Sequence, residues 1–150
     1  MSPSVPTIGL IDYGMGNLFS VQTCFKRLGT SLKAVQHPKD LEGCEALILP
    51  GVGAFDPAMD RLEATGLIPE LLAWNQADRP LLGICLGLQL LFESSEEGQR
   101  KGLGLLPGRV KQLPKDQGER IPHMGWGRLQ INRPSPLLPD PSRAEWMYFV

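Results

Sequence analysis

Short apolar runs alternate with longer amphipathic segments over the first hundred residues. Three runs are almost free of polar residues and are bounded by turn signals, as buried strands of a parallel sheet are: 7–11, 46–49 and 81–84. The more polar run 32–36 is a plausible further strand. Apolar residues at three- and four-residue spacing predict helices over 18–28, 57–62, 67–75 and 86–92. This alternation predicts an α/β fold with a mostly parallel sheet flanked by helices.

The pattern changes after residue 93. Residues 94–102 are polar and predict a surface loop, and seven of the fourteen prolines fall between Pro107 and Pro141. Residues 110–113 and 128–131 predict strands of an antiparallel section, and 146–150 is a strongly strand-forming apolar segment. We therefore expect a single domain over residues 1–150, with an antiparallel section in its C-terminal third.

Composition narrows the classes of partner and compartment. A chain of 150 residues with 42% apolar and 21% charged residues can build one core, and a net charge of −1 favours neither nucleic acid nor a membrane surface as partner. Three widely spaced cysteines do not form a disulfide framework, so we expect a reducing, cytoplasmic setting. No secretory signal or membrane-spanning stretch is evident. His37 and His123 stand alone, so no metal site is expected.

Cys85 stands where the fourth strand is expected to turn into a helix. Gly83 and Gly87 flank it, and a sharp strand-to-helix turn needs small neighbours around a strained corner residue. Such a corner directs the side chain out of the sheet, at the positive end of the helix, which favours the nucleophilic thiolate. The alternative is a buried core cysteine, and we expect that role for Cys24 and Cys44.

Backbone N–H groups near this corner could stabilise an oxyanion. Leu86 directly follows the cysteine, as the oxyanion donor does in a nucleophile elbow. The loop with Gly51, Val52 and Gly53 leaves the third strand at the same carboxyl edge of the sheet. One such donor contributes roughly 3 kcal/mol to transition-state stabilisation. The alternative for the glycine loop is a tight turn without a ligand.

Gln89 and Glu93 are the first polar residues along the helix predicted after Cys85. Both follow it at steps of four and would share its stripe, so they either line a polar pocket or face solvent. Neither suits the role of general base. His123 could be a base only if its loop folded over the sheet edge, and His37 is expected after the second strand.

Two further stretches contain closely spaced glycines. Gly14 and Gly16 follow the first strand, but position 19 is Phe where a dinucleotide fingerprint needs a third glycine, so a tight turn is expected there. Met124 and Trp126 lie beside glycines and suit an exposed contact patch. A buried turn plugged by Trp126 is the alternative.

Four stretches together resemble a known family. Two of them resemble the nucleophile segment and the oxyanion loop of the triad-type (class I) glutamine amidotransferases: Gly83-Ile84-Cys85-Leu86-Gly87-Leu88-Gln89-Leu90-Leu91-Phe92-Glu93 and Pro50-Gly51-Val52-Gly53. Two others narrow the resemblance to the glutaminase subunits of imidazole glycerol phosphate synthases: Asp12-Tyr13-Gly14-Met15-Gly16-Asn17 and Pro122-His123-Met124-Gly125-Trp126. The similarity runs from Ile8 to Val150, and the nucleophile motif is highly specific.

The resemblance implies a flavodoxin-like glutamine amidotransferase domain and a reaction. Cys85 would attack the side-chain amide of glutamine, release ammonia and form a glutamyl thioester, which water would hydrolyse to glutamate. The implied roles are the oxyanion hole for Gly51, Val52, Gly53 and Leu86, glutamine binding for Gln89 and Glu93, and the partner interface for Asn17, His123, Met124 and Trp126. No metal or organic cofactor is expected.

The implied partner is a cyclase subunit with a (β/α)8 barrel, bound as a heterodimer. Ammonia would pass to it, and the products would be imidazole glycerol phosphate and aminoimidazole carboxamide ribotide in histidine biosynthesis. The family's catalytic His and Glu would lie beyond position 150, so we expect a fragment or truncated chain with little activity alone. Two other classes stay open: a non-catalytic binding subunit, and another α/β cysteine hydrolase acting on esters.

Overall fold

Four parallel strands form the central sheet of the computed structural model, which describes residues 6–114, 121–133, 135–137 and 145–149. The strands are β1 (Ile8–Ile11), β2 (Leu32–Val35), β3 (Ala46–Gly51) and β4 (Leu81–Cys85), in the spatial order β2-β1-β3-β4. Because all four run the same way, their carboxyl ends meet at one edge, where open α/β sheets bind ligands. The predicted α/β class and its four strands are confirmed.

In the described part of the chain, four α-helices accompany this sheet: α1 (Leu18–Arg27), α2 (Phe55–Ala64), α3 (Ile68–Gln76) and α4 (Leu86–Leu90). Leu47 and Leu49 of β3 belong to a buried cluster that also contains Phe55 of α2 and Leu71 of α3. By contrast, α1 buries none of its residues. The core of this unit therefore lies mainly between the sheet and the helices α2, α3 and α4.

The helix after Cys85 is shorter than its periodicity predicts. We expected a helix over 86–92, but α4 ends at Leu90 and the chain continues as strand β5 (Phe92–Ser95). The carbonyl of Leu90 accepts a hydrogen bond from the N–H of Leu103 at 2.8 Å, which draws the chain out of the helix and onto a distant segment. Tertiary pairing thus overrides the local helical period.

The segment after this helix also pairs differently from the prediction. Strand β6 spans Leu106–Val110 instead of 110–113, and it pairs with β5 in parallel instead of antiparallel fashion. The predicted surface loop 94–102 consequently begins inside a strand. Parallel pairing was not visible in the local pattern, because it joins segments separated by a long connection.

The chain divides into two compact units, Met1–Gln112 and Leu113–Val150. The second unit contains β7 (Gly125–Arg128) and β8 (Trp146–Phe149), which pair antiparallel with Trp126 opposite Tyr148. Strand β7 begins three residues earlier than the predicted 128–131, because its register is set by pairing with β8. The predicted terminal strand is confirmed, although all four side chains of β8 are exposed. Within the described ranges, no helix combines the length and apolarity that a bilayer crossing requires.

Candidate active site at the end of strand β4

Cys85 occupies a strained corner between β4 and α4. Its backbone has φ of 55° and ψ of −120°, and it caps the amino end of α4. The only other non-glycine residue with positive φ in the described part of the chain is Asp78. Such conformations cost about 1–3 kcal/mol and persist only where the surroundings enforce them. The thiol is exposed, so the predicted core alternative does not apply.

The glycines beside Cys85 are required by close packing. A Cβ on Gly83 would lie 2.6 Å from the Cα of Leu88, which belongs to the following helix. A Cβ on Gly87 would overlap the carbonyl oxygen of Leu49 in β3. The helix α4 therefore sits directly on the backbone of two strands, and this contact holds the corner in its strained shape.

The end of β3 lies beside this corner. Gly51 pairs with Cys85 in the sheet, and a Cβ on Gly51 would lie 2.6 Å from the backbone nitrogen of Gly87 and 2.9 Å from the Cβ of Leu86. The predicted oxyanion loop thus starts against the predicted oxyanion donor. In this structure the N–H of Val52 donates to the carbonyl of Met15 at 3.2 Å.

Tyr13 was missed as a site residue when the sequence was read from spacing alone. It follows β1, is only 5% exposed, and donates its hydroxyl to the carbonyl of Pro50 at 2.8 Å. Burial raises the pKa of Tyr13 to about 12, and the charge of the neighbouring Cys85 thiolate adds to the rise. Its position could have marked it as a site residue, because a residue that directly follows a central parallel strand lies at the edge of the sheet where ligands bind.

The structure separates the two residues predicted to share a helical stripe. Gln89 lies on α4, one turn after Cys85, and is half-buried. Glu93 lies on β5 instead, and its carboxylate accepts a hydrogen bond from the N–H of Gly108 at 3.1 Å. The prediction that Glu93 shares a helix face with Cys85 and Gln89 is therefore wrong, because α4 ends before Glu93.

A polar loop that sequence reasoning left without a role is attached to the start of α2. The carboxylate of Glu97 accepts the N–H of Phe55 at 3.2 Å. The carboxylate of Asp56 accepts the N–H groups of Gln99 and Arg100, each at 2.9 Å. These hydrogen bonds lower the pKa of Asp56. The loop is thereby held against the first turn of the helix that follows the glycine loop.

The two histidines occupy different units. His37 caps a short 3-10 helix (Pro38–Leu41), and its N–H donates to Asp40 at 2.9 Å. His123 stacks on Phe149 in the second unit, with ring centroids 5.2 Å apart. No described contact joins the His37 imidazole to Cys85 within the first unit, and the described residues contain no His/Cys/Asp/Glu group that could hold a metal ion.

The residues predicted to face a partner are exposed in their own units. The side chain of Asn17 accepts the N–H of Ser20 at 3.1 Å and so caps α1. Met124 is 63% and Trp126 69% exposed, which rules out the alternative of a turn plugged by a buried Trp126. The ring of Trp126 contacts Tyr148 edge-on, with centroids 5.6 Å apart.

The other two cysteines differ from each other. Cys44 is buried, as predicted, and its sulfur contacts the carbonyl of Asp40 at 3.7 Å. Cys24 is exposed, so the core prediction is wrong there. It lies on α1, and a helix that buries none of its residues offers a cysteine no core.

Comparison with known proteins agrees with this arrangement. Residues 15–114 match the SNO glutamine amidotransferase family. The chain is 62% identical over 143 residues to imidazole glycerol phosphate synthase subunit HisH 2 of Parasynechococcus marenigrum (strain WH8102), a match that covers 95% of this chain and 68% of that protein. It is 63% identical over 143 residues to imidazole glycerol phosphate synthase subunit HisH of Synechococcus sp. (strain CC9605), covering 95% of this chain and 67% of that one.

A solved structure shares the fold. The crystal structure of a glutamine amidotransferase superposes with a TM-score of 0.66 at 23% identity, and the match covers 83% of this chain and 64% of that one. The identity is low, so this likeness supports the fold alone. The chain spans about two thirds of the length of its HisH relatives.

Proposed function

The chain belongs to the HisH subunits of imidazole glycerol phosphate synthase, within the glutamine amidotransferases, and from this premise we propose that Cys85 is the nucleophile of a glutaminase. The observation that carries the proposal is the strained, exposed corner that Cys85 forms between β4 and α4. A buried structural cysteine has no need of positive φ or of packing that excludes a methyl group from Gly83 and Gly87.

The chemistry follows from this corner. The thiolate of Cys85 attacks the side-chain amide carbon of glutamine, forming a C–S bond and a tetrahedral oxyanion. The C–N bond then breaks, the nitrogen takes up the proton that the Cys85 thiol gave up on forming the thiolate, ammonia leaves, and a glutamyl thioester remains. Water attacks the thioester, releases glutamate and returns the thiol.

The oxyanion is stabilised by backbone donors. Leu86, whose N–H would be the first donor, directly follows the nucleophile, and its Cβ lies against Gly51 at the start of the glycine loop. The N–H of Val52 can serve as a second donor only after it leaves the carbonyl of Met15. Gln89, half-buried one turn further along α4, is suited to hold the substrate amide or α-carboxylate, and Glu93 acts only if it leaves Gly108.

The proposed partner is a (β/α)8-barrel cyclase subunit that receives the ammonia. The names of the relatives describe them as subunits, which supports an assembly. Asn17, His123, Met124 and Trp126 are the proposed contacts, and the exposure of Met124 and Trp126 supports this assignment. Three free thiols favour a reducing, cytoplasmic setting.

The experiment uses a hybrid chain, in which residues 1–150 are followed by the part of the Parasynechococcus marenigrum relative that lies beyond its match. That part is where the resemblance assigns the general base and its carboxylate. Glutamate release from glutamine is measured with the cyclase subunit of the same organism present. We expect turnover that falls at least a thousandfold in Cys85→Ala, whereas Cys24→Ala, which removes an exposed thiol on α1, leaves it unchanged.

The 150-residue chain supplies a second readout. A glutamine-like alkylator, 6-diazo-5-oxo-L-norleucine, should label it at Cys85, as detected by intact mass, although it should not turn over glutamine. Turnover by the hybrid that survives Cys85→Ala would refute the proposal. Hydrolysis of simple esters without hydrolysis of glutamine would instead indicate a different cysteine hydrolase.

A further inference from the structure

Tyr13 is a buried titratable residue that the proposed reaction does not use. Its hydroxyl reaches across from the end of β1 to the carbonyl of Pro50 at the end of β3, at 2.8 Å. The side chain is 5% exposed, so this hydrogen bond is shielded from water. A buried hydroxyl aimed at the backbone just before the glycine loop is in a position to control that backbone.

The contacts of Gly51 show what the hydroxyl holds. A Cβ on Gly51 would lie 2.8 Å from the Tyr13 hydroxyl oxygen and 2.6 Å from the backbone nitrogen of Gly87. Gly51 is therefore held between the tyrosine hydroxyl and the first turn of α4. Its sheet partner is Cys85 itself.

The planarity of the peptide bond links this contact to the oxyanion loop. The carbonyl of Pro50 and the N–H of Gly51 belong to one peptide unit, so a hydrogen bond that fixes the carbonyl also fixes the direction of the N–H. Because the loop continues from Gly51 to Val52 and Gly53, the orientation of this peptide determines where the loop begins.

We propose that Tyr13 is a positioning residue, whose hydroxyl fixes the Pro50–Gly51 peptide and thereby the start of the oxyanion loop beside Cys85. The inference rests on the proposed glutaminase function. Tyr13 transfers no proton and touches no substrate in this role. It acts on the rate through the backbone that it holds, because preorganised donors stabilise the oxyanion only when their positions are fixed.

The test compares Tyr13→Phe with Thr65→Val in the hybrid chain with its cyclase subunit. Thr65 offers a matched control, because its hydroxyl also donates to a backbone carbonyl, that of Leu62 at 2.6 Å, but lies at the far end of α2. We expect Tyr13→Phe to lower kcat for glutamine about tenfold with KM changed less than about twofold. We expect Thr65→Val to leave both unchanged.

Two further substitutions separate positioning from folding. Tyr13→4-aminophenylalanine keeps a donor for the Pro50 carbonyl and should restore most of kcat. Tyr13→4-fluorophenylalanine keeps the ring and a similar volume without a donor, so it should behave like Tyr13→Phe. It replaces Tyr13→Phe in the comparison if Tyr13→Phe does not fold. All variants are assayed well below their melting midpoints.

The outcomes distinguish this inference from the function on which it rests. If Cys85→Ala is inactive while folded Tyr13→Phe has the kcat of the unchanged chain, Tyr13 is merely structural and the inference is wrong. If Tyr13→Phe and Thr65→Val lower kcat equally, the loss reflects general destabilisation and the inference is again wrong. If Cys85→Ala keeps its turnover, the proposed function itself fails.

Discussion

The corner at Cys85 and the antiparallel pair of strands β7 and β8 (the β7–β8 pair) are opposite kinds of surface. At the corner, backbone packs on backbone so closely that a Cβ on Gly87 would overlap the carbonyl of Leu49. In the β7–β8 pair, large apolar side chains are exposed to solvent, and Trp126 is 69% exposed. One region is completed by contacts within its own unit, whereas the other has apolar surface left over.

The difference indicates what each region is built to do. A close-packed, strained corner fixes one backbone geometry, as catalysis by oriented groups requires. An exposed aromatic surface of Trp126 and Tyr148 stabilises little by itself, but it gains free energy when a partner removes it from water. We therefore expect catalysis at the corner and partner binding at the β7–β8 pair. The following experiments test this division.

The largest effect is expected from Gly87→Ala at the corner. The added methyl group meets the carbonyl of Leu49 and has no flexible neighbour that could yield, so the free energy of unfolding should fall by about 3 kcal/mol or more. Gly43→Ala is the control, because Gly43 has φ of 76° but open space around it and should lose only about 1 kcal/mol. Urea unfolding measures both, and equal losses would mean that the corner is not close-packed.

The next largest effect is expected on partner binding by the β7–β8 pair. Trp126→Ala should weaken binding to the cyclase subunit about thirtyfold, or about 2 kcal/mol, because a central aromatic residue is a typical interface hot spot. Leu137→Ala removes a side chain of the same unit that is 84% exposed and should change binding little. Calorimetry gives the affinity, and alkylation of Cys85 should proceed normally in both variants. Unchanged binding by Trp126→Ala would show that the β7–β8 pair is not part of the interface.

A smaller effect, on stability at alkaline pH, is expected from Tyr13 beside the corner. Because folding raises the pKa of Tyr13 from 10.0 to about 12, the folded chain keeps this proton where the unfolded chain loses it. The contribution of Tyr13 to stability is therefore complete below about pH 10 and lost as the pH rises towards 12. Stability of Tyr13→Phe, followed by circular dichroism, should fall less steeply across this window. Identical slopes would contradict the burial of the hydroxyl.

The smallest effect is expected at Asp56, beside the glycine loop. Hydrogen bonds from the N–H groups of Gln99 and Arg100 lower its pKa, so its contribution to stability is present above its ordinary pKa of 3.8 and lost as the pH falls through the lower folded value. Asp56→Asn should speed amide hydrogen exchange at Gln99 and Arg100 at neutral pH, with little change at Leu71 of α3, whose N–H donates to the carbonyl of Leu67 and serves as the reference. Equal exchange in both proteins would show that the carboxylate does not hold this loop.

The features that could be predicted from the sequence are local ones. Apolar runs predicted all four strands of the sheet, and the Gly83–Gly87 frame predicted the corner at Cys85, because a tight strand-to-helix turn tolerates few residue types. Resemblance to the glutamine amidotransferases, carried by the same residues, agrees with the HisH relatives. The predicted roles of the oxyanion loop, Gln89 and the partner-facing residues stay predictions.

By itself, then, the sequence determined the strand-helix alternation and the corner, since each depends on residues that are close together along the chain. It also determined the family, because four short motifs carry the resemblance. Only the tertiary structure decided that α4 ends at Leu90, that Glu93 turns to Gly108, and that the hydroxyl of Tyr13 meets the carbonyl of Pro50. The physical reason is common to all three. Each rests on a hydrogen bond to a segment more than ten residues away, and such pairing leaves no periodic trace in a single sequence.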